Sequence, residues 1–167
     1  GTTILTRIAL PDGYTRTEAG EEDLATYIRN YPLKKKGAKV KLYNGQDKSS
    51  QDAQEAVFKL PIENENLQQA AGSVIRMYAE YMWKTKQYDR ISFRFASGFE
   101  ANYKKWRNGY RILIGGSGAY WTTTKQKKDV TYDGFKKYLR MVFAYSSTAS
   151  LLRECKKTTL SDLKVGD

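Results

Sequence analysis

Histidine is missing from the 167 residues, and cysteine occurs once, as Cys155. Without an imidazole the chain lacks the usual general base, the commonest metal ligand and the partner of a Ser or Cys nucleophile. A self-contained triad therefore cannot be assembled from it, and neither a metal nor a cofactor is expected. One cysteine excludes an internal disulfide and a cysteine-rich zinc site. With only Lys156 and Lys157 beside it, Cys155 is expected to be a buried or half-buried structural thiol rather than a nucleophile. Nor is there an apolar run near the roughly 20 residues of a membrane span. The chain opens Gly-Thr-Thr without Met, which points to removal of a tag or of an upstream segment such as a signal peptide.

What is present is basic and aromatic. There are 29 Lys and Arg against 18 Asp and Glu, a formal charge of +11, and 13 residues are Tyr. Hydrophobic residues make up 40%, enough for one ordinary core, so residues 1–167 are expected to form a single domain. The charge favours anionic partners such as nucleic acid, teichoic-type polymers or lipid head groups. The competing reading is solubility alone, because the lysines are scattered along the sequence.

The strongest periodic stretch runs from Asn64 to Lys86. Leu67, Ala71, Val74, Tyr78 and Tyr81 recur at helical spacing, widened by Ala70, Ile75 and Met82. The pattern predicts one long central helix over 64–86, with Gln69, Arg76, Glu80 and Trp83 on its opposite face. Strands are expected at Ile4 to Leu10, Lys39 to Tyr43, Ala56 to Ile62 and Tyr110 to Ile114. A further half-buried strand is expected at Asp89 to Phe95, where Ile91, Phe93 and Phe95 alternate with Arg90, Ser92 and Arg94.

Acidic residues before Leu24 to Tyr31 predict a helix stopped by Pro32, and Phe135 to Phe143 predicts another, recapped near Ser147. Phe99, Tyr103 and Trp106 fall on one face of a short helix ended by Gly109. Gly115-Gly116-Ser117-Gly118 lacks the Gly-Lys-Ser/Thr ending of a phosphate loop and reads as a hairpin-like connection to Tyr120-Trp121. Lys34 to Lys36 and Lys125 to Lys128 read as solvated loops. Without βαβ regularity, the fold class is α+β with a largely antiparallel sheet packed on the central helix.

Several pieces together resemble one bacterial family. They are Arg7-Ile8 with Pro11 and Gly13-Tyr14; Tyr43-Asn44-Gly45 with Lys48; Asn66-Leu67-Gln68-Gln69 with Tyr78-Ala79-Glu80-Tyr81; Gly98-Phe99 with Tyr103 and Trp106; Tyr138 to Phe143 with Ser150-Leu151; and Leu163-Lys164-Val165-Gly166-Asp167. The match is to the domain-of-unknown-function family numbered 4846, from about Arg7 to Asp167. The resemblance implies an exported protein, periplasmic, cell-surface or extracellular, and no established activity. In that family a cysteine commonly follows the Leu-Gln-Gln, where this chain has Ala70, and the sequence continues past Gly-Asp into a strand with Gly-His. By that comparison the chain is expected to be truncated at its C-terminal end.

A helix-borne Cys and a later strand-borne His resemble the order in papain-like and transglutaminase-like hydrolases, in which the helix N-terminus activates the thiol. What the resemblance implies here is a hydrolase-like layout without nucleophile or base, with Gln68, Gln69 and Ala70 as a vestigial site. A small residue packing helix on sheet is the plainer account of Ala70. The rival function is a binding module for an anionic cell-envelope polymer, peptide or glycan, using Lys48, Tyr103, Trp106 and Arg107, although Tyr103 and Trp106 also have the spacing of core anchors. Nucleic-acid binding comes third, since no recognition motif is present. The oligomeric state is open.

Overall fold

A computed structural model describes residues 1–163; the 164–167 ending that the resemblance uses lies outside them. The chain falls into two compact units, one of Gly1–Asn66 with the residues from Thr158 onward, the other of Leu67–Lys157.

The first unit has little regular structure. Helix α1 (Ile4–Arg7) stands where the β-prone Ile4 to Leu10 predicts a strand. Thr3 and Thr6 form a reciprocal capping box, which satisfies the amides of a first turn and outweighs a weak strand preference. Helix α2 (Leu24–Asn30) follows Asp23 as expected and ends before Pro32. The expected strands at Lys39 to Tyr43 and Ala56 to Ile62 shrink to isolated bridges, Lys41 with Asp47 and Leu33 with Phe58. One cause is local: the Gln51 side chain accepts from Val40 N–H, a group that a ladder would use, and donates to Val40 C=O, which also accepts from Lys48 N–H. Asp47 closes the Asn44-Gly45 turn by pairing with Lys39 and Lys41, which hold its carboxyl below the ordinary range.

The second unit carries helix α3 (Ala70–Lys84), the longest helix among the described residues. It starts six residues later and stops two residues earlier than the sequence predicts. Asn64 to Asn66 are exposed in a turn, and Lys86, at φ 60°, stands in the left-handed region just past the helix end. The buried face is also rotated by about one position. It consists of Gly72, Ile75, Arg76, Ala79, Tyr81 and Met82, so that Ile75, Tyr81 and Met82 are buried as expected, whereas Val74 is 59% exposed. Gly72 lies at the Phe143 ring, at ordinary contact distance for any added Cβ, and the helix runs through it unbroken.

Beyond α3, a 3-10 turn (Tyr88–Arg90) leads into strand β1 (Ser92–Arg94), paired antiparallel with β2 (Glu100–Asn102). Ile91, Phe93 and Phe95 are buried and Arg90 and Arg94 exposed, as the alternation predicts. Helix α4 (Tyr103–Arg107) follows directly, then the antiparallel hairpin β3 (Ile112–Gly115) and β4 (Gly118–Trp121). Helices α5 (Tyr132–Tyr145) and α6 (Thr148–Glu154) close the unit, α6 opening on a Ser147–Ser150 capping box. Helix α3 packs on α5 and α6, and β1 on α6. The result is a mixture of helix with two small antiparallel sheets. Cys155 is exposed, contrary to expectation: it is the C-cap of a two-turn helix and stands where the backbone turns extended and leaves the core.

Candidate functional site

The vestigial-site residues lie together at the start of α3. Ala70 is the first helical residue and is exposed; Gln69 is the N-cap residue, with no capping bond from its side chain, and Gln68 is half-buried. A thiol at this point would face the positive end of the helix dipole, but a methyl group has no chemistry to activate. No imidazole exists in the chain to act on it.

Of the residues expected to bind, Tyr103 and Trp106 are core. Tyr103 is fully buried and Trp106 is 6% exposed. The Tyr103 hydroxyl accepts from Trp83 Nε1 at 3.3 Å, and Trp106 Nε1 donates to Gly134 C=O at 3.1 Å. Such ring faces are closed to a ligand, and burial raises the Tyr103 pKa. Lys48 belongs to the first unit, in an exposed loop. Arg107, on α4, lays its guanidinium 4.4 Å from the Tyr88 ring centroid, and its buried Nε has no hydrogen-bond partner among the described residues.

Burying Tyr103 and Trp106 turns their neighbours outward. Helix α4 is capped by Asn102 Oδ1, which accepts from Lys105 N–H, and its other face carries Lys104 and Lys105. Lys104 pairs with Asp89 at 2.9 Å. Lys105 makes no ion pair among the described residues; its Nζ lies 5.3 Å from the Tyr110 ring centroid and 5.2 Å from that of Trp121. Asn102, Lys104, Lys105, Asn108 and Tyr110 line a shallow cleft of about 310 Å³.

The backbone ties a further basic segment to residues 107–111. Past the Ile112–Trp121 pair, the β3–β4 hairpin continues as an irregular ladder: Thr122 N–H donates to Arg111 C=O at 2.8 Å, Gln126 N–H to Gly109 C=O at 2.9 Å, and Asp129 N–H to Arg107 C=O at 2.9 Å. The 122–129 loop is thus tied along residues 107–111, and Lys125, Lys127 and Lys128 project from it, exposed. Asp129 ends the loop at the start of α5, where the hydroxyl and amide of Thr131 hold its carboxyl below the ordinary range.

A sequence signal for this face exists and is easily passed over. Residues 101–128 contain Lys104, Lys105, Arg107, Arg111, Lys125, Lys127 and Lys128 and not one Asp or Glu. Read residue by residue the lysines look scattered; the hairpin at Gly115–Gly118 is legible in the sequence, but its irregular continuation to residues 122–129, which collects them, is not.

A second polar cluster lies on α3. Arg76 is 1% exposed, and its Nε donates to Glu80 Oε1 at 2.7 Å. The Tyr132 hydroxyl donates to the same oxygen at 2.6 Å and accepts from Arg76 at 3.2 Å. Burial, reinforced by the Glu80 carboxylate, pushes the Tyr132 pKa up to about 12. A phenol held protonated this firmly is a structural donor and a poor base.

No helix among the described residues is long and apolar enough to cross a membrane, and these residues contain no group of three or more His, Cys, Asp or Glu able to hold a metal ion. No curated protein and no solved structure matches the chain. A family model described as a domain of unknown function (4846) matches residues 4–167, essentially the whole sequence, and the chain belongs to that family.

Proposed function

We propose that this chain is an exported, non-catalytic domain that holds an anionic polymer of the cell envelope on the face formed by α4 and the 122–129 loop. The observation that carries the reading is Lys105, an exposed ammonium set between two aromatic rings at the edge of a segment with seven basic and no acidic side chains. Ring faces attract the ammonium and restrict its motion, so less side-chain entropy is lost when an anion arrives. The test is a titration of the chain with teichoic-type and acidic glycan polymers at about 50 and about 200 mM salt. Binding that weakens steeply with salt, and that is reduced in Lys127→Gln/Lys128→Gln, is the expected result. Salt-independent binding, or none, overturns the reading.

A second reading is favoured by one observation, the placement of Ala70 at the first position of the longest described helix. It supports a papain-like or transglutaminase-like layout in which this helix start is the former nucleophile position. The two readings are compatible: a hydrolase-like domain stripped of nucleophile and base can keep a binding surface for what it once cleaved. Nucleic acid is the less favoured polyanion, because the chain carries no nucleic-acid recognition motif.

A further inference from the structure

Resting on the polymer-binding reading, we propose that the cleft beside Lys105 is a subsite for one acidic sugar unit of a glycan. Its carboxylate would lie on Lys105, its hydroxyls on the Asn102 and Asn108 amides, and its apolar face on Tyr110. At about 310 Å³ the cleft is at the small end of ligand sites, a size suited to a single ring rather than to a length of chain.

The donor set decides the chemistry. Phosphate sites usually draw on the guanidinium fork or on backbone amides at a helix start. Here neither nearby arginine lines the cleft. Arg111 donates to the Trp106 and Tyr110 carbonyls and stacks 4.6 Å from the Trp106 ring, while Arg107 covers Tyr88. Lys104 is held by Asp89. That leaves one point charge, Lys105, flanked by neutral carboxamides. The Asn108 side chain and the Asn102 Nδ2 make no hydrogen bond among the described residues. One charge with several neutral donors and acceptors and an aromatic wall matches a ring that carries one acid group and several hydroxyls. Lys125, Lys127 and Lys128, tied alongside by the ladder from Arg107 to Arg111, then meet the acid groups of neighbouring units.

The experiment is calorimetric titration of the 167-residue chain with four probes: an oligogalacturonate, the same oligomer with its carboxylates methyl-esterified, inorganic polyphosphate, and an oligothymidylate. Variants are Lys105→Gln, Asn108→Ala and Tyr110→Ala, each checked by thermal unfolding. The oligogalacturonate is expected to bind, and esterification to weaken it by about 10-fold or more. Asn108→Ala, which removes no internal hydrogen bond, is expected to weaken oligogalacturonate by about 5- to 10-fold, the worth of one hydrogen bond of about 1 kcal/mol, and to leave polyphosphate unchanged. Lys105→Gln weakens both. If Tyr110→Ala unfolds, Asn108→Ala alone carries the decision. Equal binding of all anionic probes with Asn108→Ala silent would overturn the sugar subsite and leave the polymer-binding reading standing. Tighter binding of polyphosphate than of the oligogalacturonate would do the same, and tighter binding of the oligothymidylate would overturn both readings in favour of nucleic acid. No binding of any anionic probe would overturn both.

Discussion

A guanidinium that is 1% exposed persists only where its charge is met, because removing one partner of a buried pair costs far more than the pair contributes. For Arg76 the partners include Glu80, itself 14% exposed in its side chain, and Tyr132. Glu80→Ala is therefore expected to destabilise by about 3 kcal/mol, and Arg76→Met in the same background to recover part of that loss by removing a buried cation that has lost one of its partners. Urea unfolding of the single and double variants checks this; a double variant weaker than Glu80→Ala would contradict it. Tyr132 adds a pH dependence whose sign is fixed. Its folded pKa, about 12, lies above the unfolded value near 10. Its contribution is whole below pH 10 and is lost as the pH rises towards 12, where the unfolded phenol ionises first. In Tyr132→Phe that part of the alkaline loss should vanish, measurable as a shallower fall of the thermal midpoint between those pH values. The sequence leads one to place Arg76 outside the core for a plain reason: periodicity identifies a helix better than the rotation of its face, and a charged residue is the natural guess for the wet side. Val74, apolar and 59% exposed, is the matching error.

Among the elements, those with long helical periodicity or a strict alternation were legible: α2, α5, α6 and the Ile91–Phe95 alternation stand where the residues place them. Failures came from short β-prone runs, where a cap at Thr3 or a clamp at Gln51 decides the outcome and propensity does not. Local chemistry also hid the candidate site, since the ladder binding residues 107–111 to 122–129 joins residues up to 22 apart in sequence. That ladder hinges on Gly109, at φ 105°, where a Cβ would collide with the Gln126 carbonyl. Gly109→Ala combines a conformation that costs an L-residue about 1–2 kcal/mol with that collision. It is expected to lower stability by about 2–4 kcal/mol and to release the lysine loop. Faster amide exchange at Gln126 and Asp129 and weaker polymer binding would follow. Unchanged exchange there would show that the loop is held by other means.

At the scale of the molecule, charge and catalysis pull the reading in one direction. The +11 charge favours anionic partners, and the lack of histidine removes the usual general base and the partner of a Ser or Cys nucleophile. The helix start at Ala70 allows the two to be separated in a single protein. Ala70→Cys in a Cys155→Ser background places one thiol at the first position of α3, and the unaltered chain, with its exposed Cys155 at a helix C-terminus, serves as the reference. A helix N-terminus is worth about 0.3–1 kcal/mol to an exposed anion, or about half a pKa unit. Alkylation rates followed against pH should therefore place the new thiol about half a unit below the ordinary value near 8.5. Such a shift raises the thiolate fraction roughly threefold at neutral pH, whereas a hydrolase also needs a group to return the proton to the leaving atom. No turnover of peptide, isopeptide or ester substrates is therefore expected from Ala70→Cys, with polymer binding intact. A thiol at position 70 that titrates no lower than the ordinary thiol value would remove the support for a former nucleophile position. Turnover by the unaltered chain would overturn the non-catalytic reading altogether.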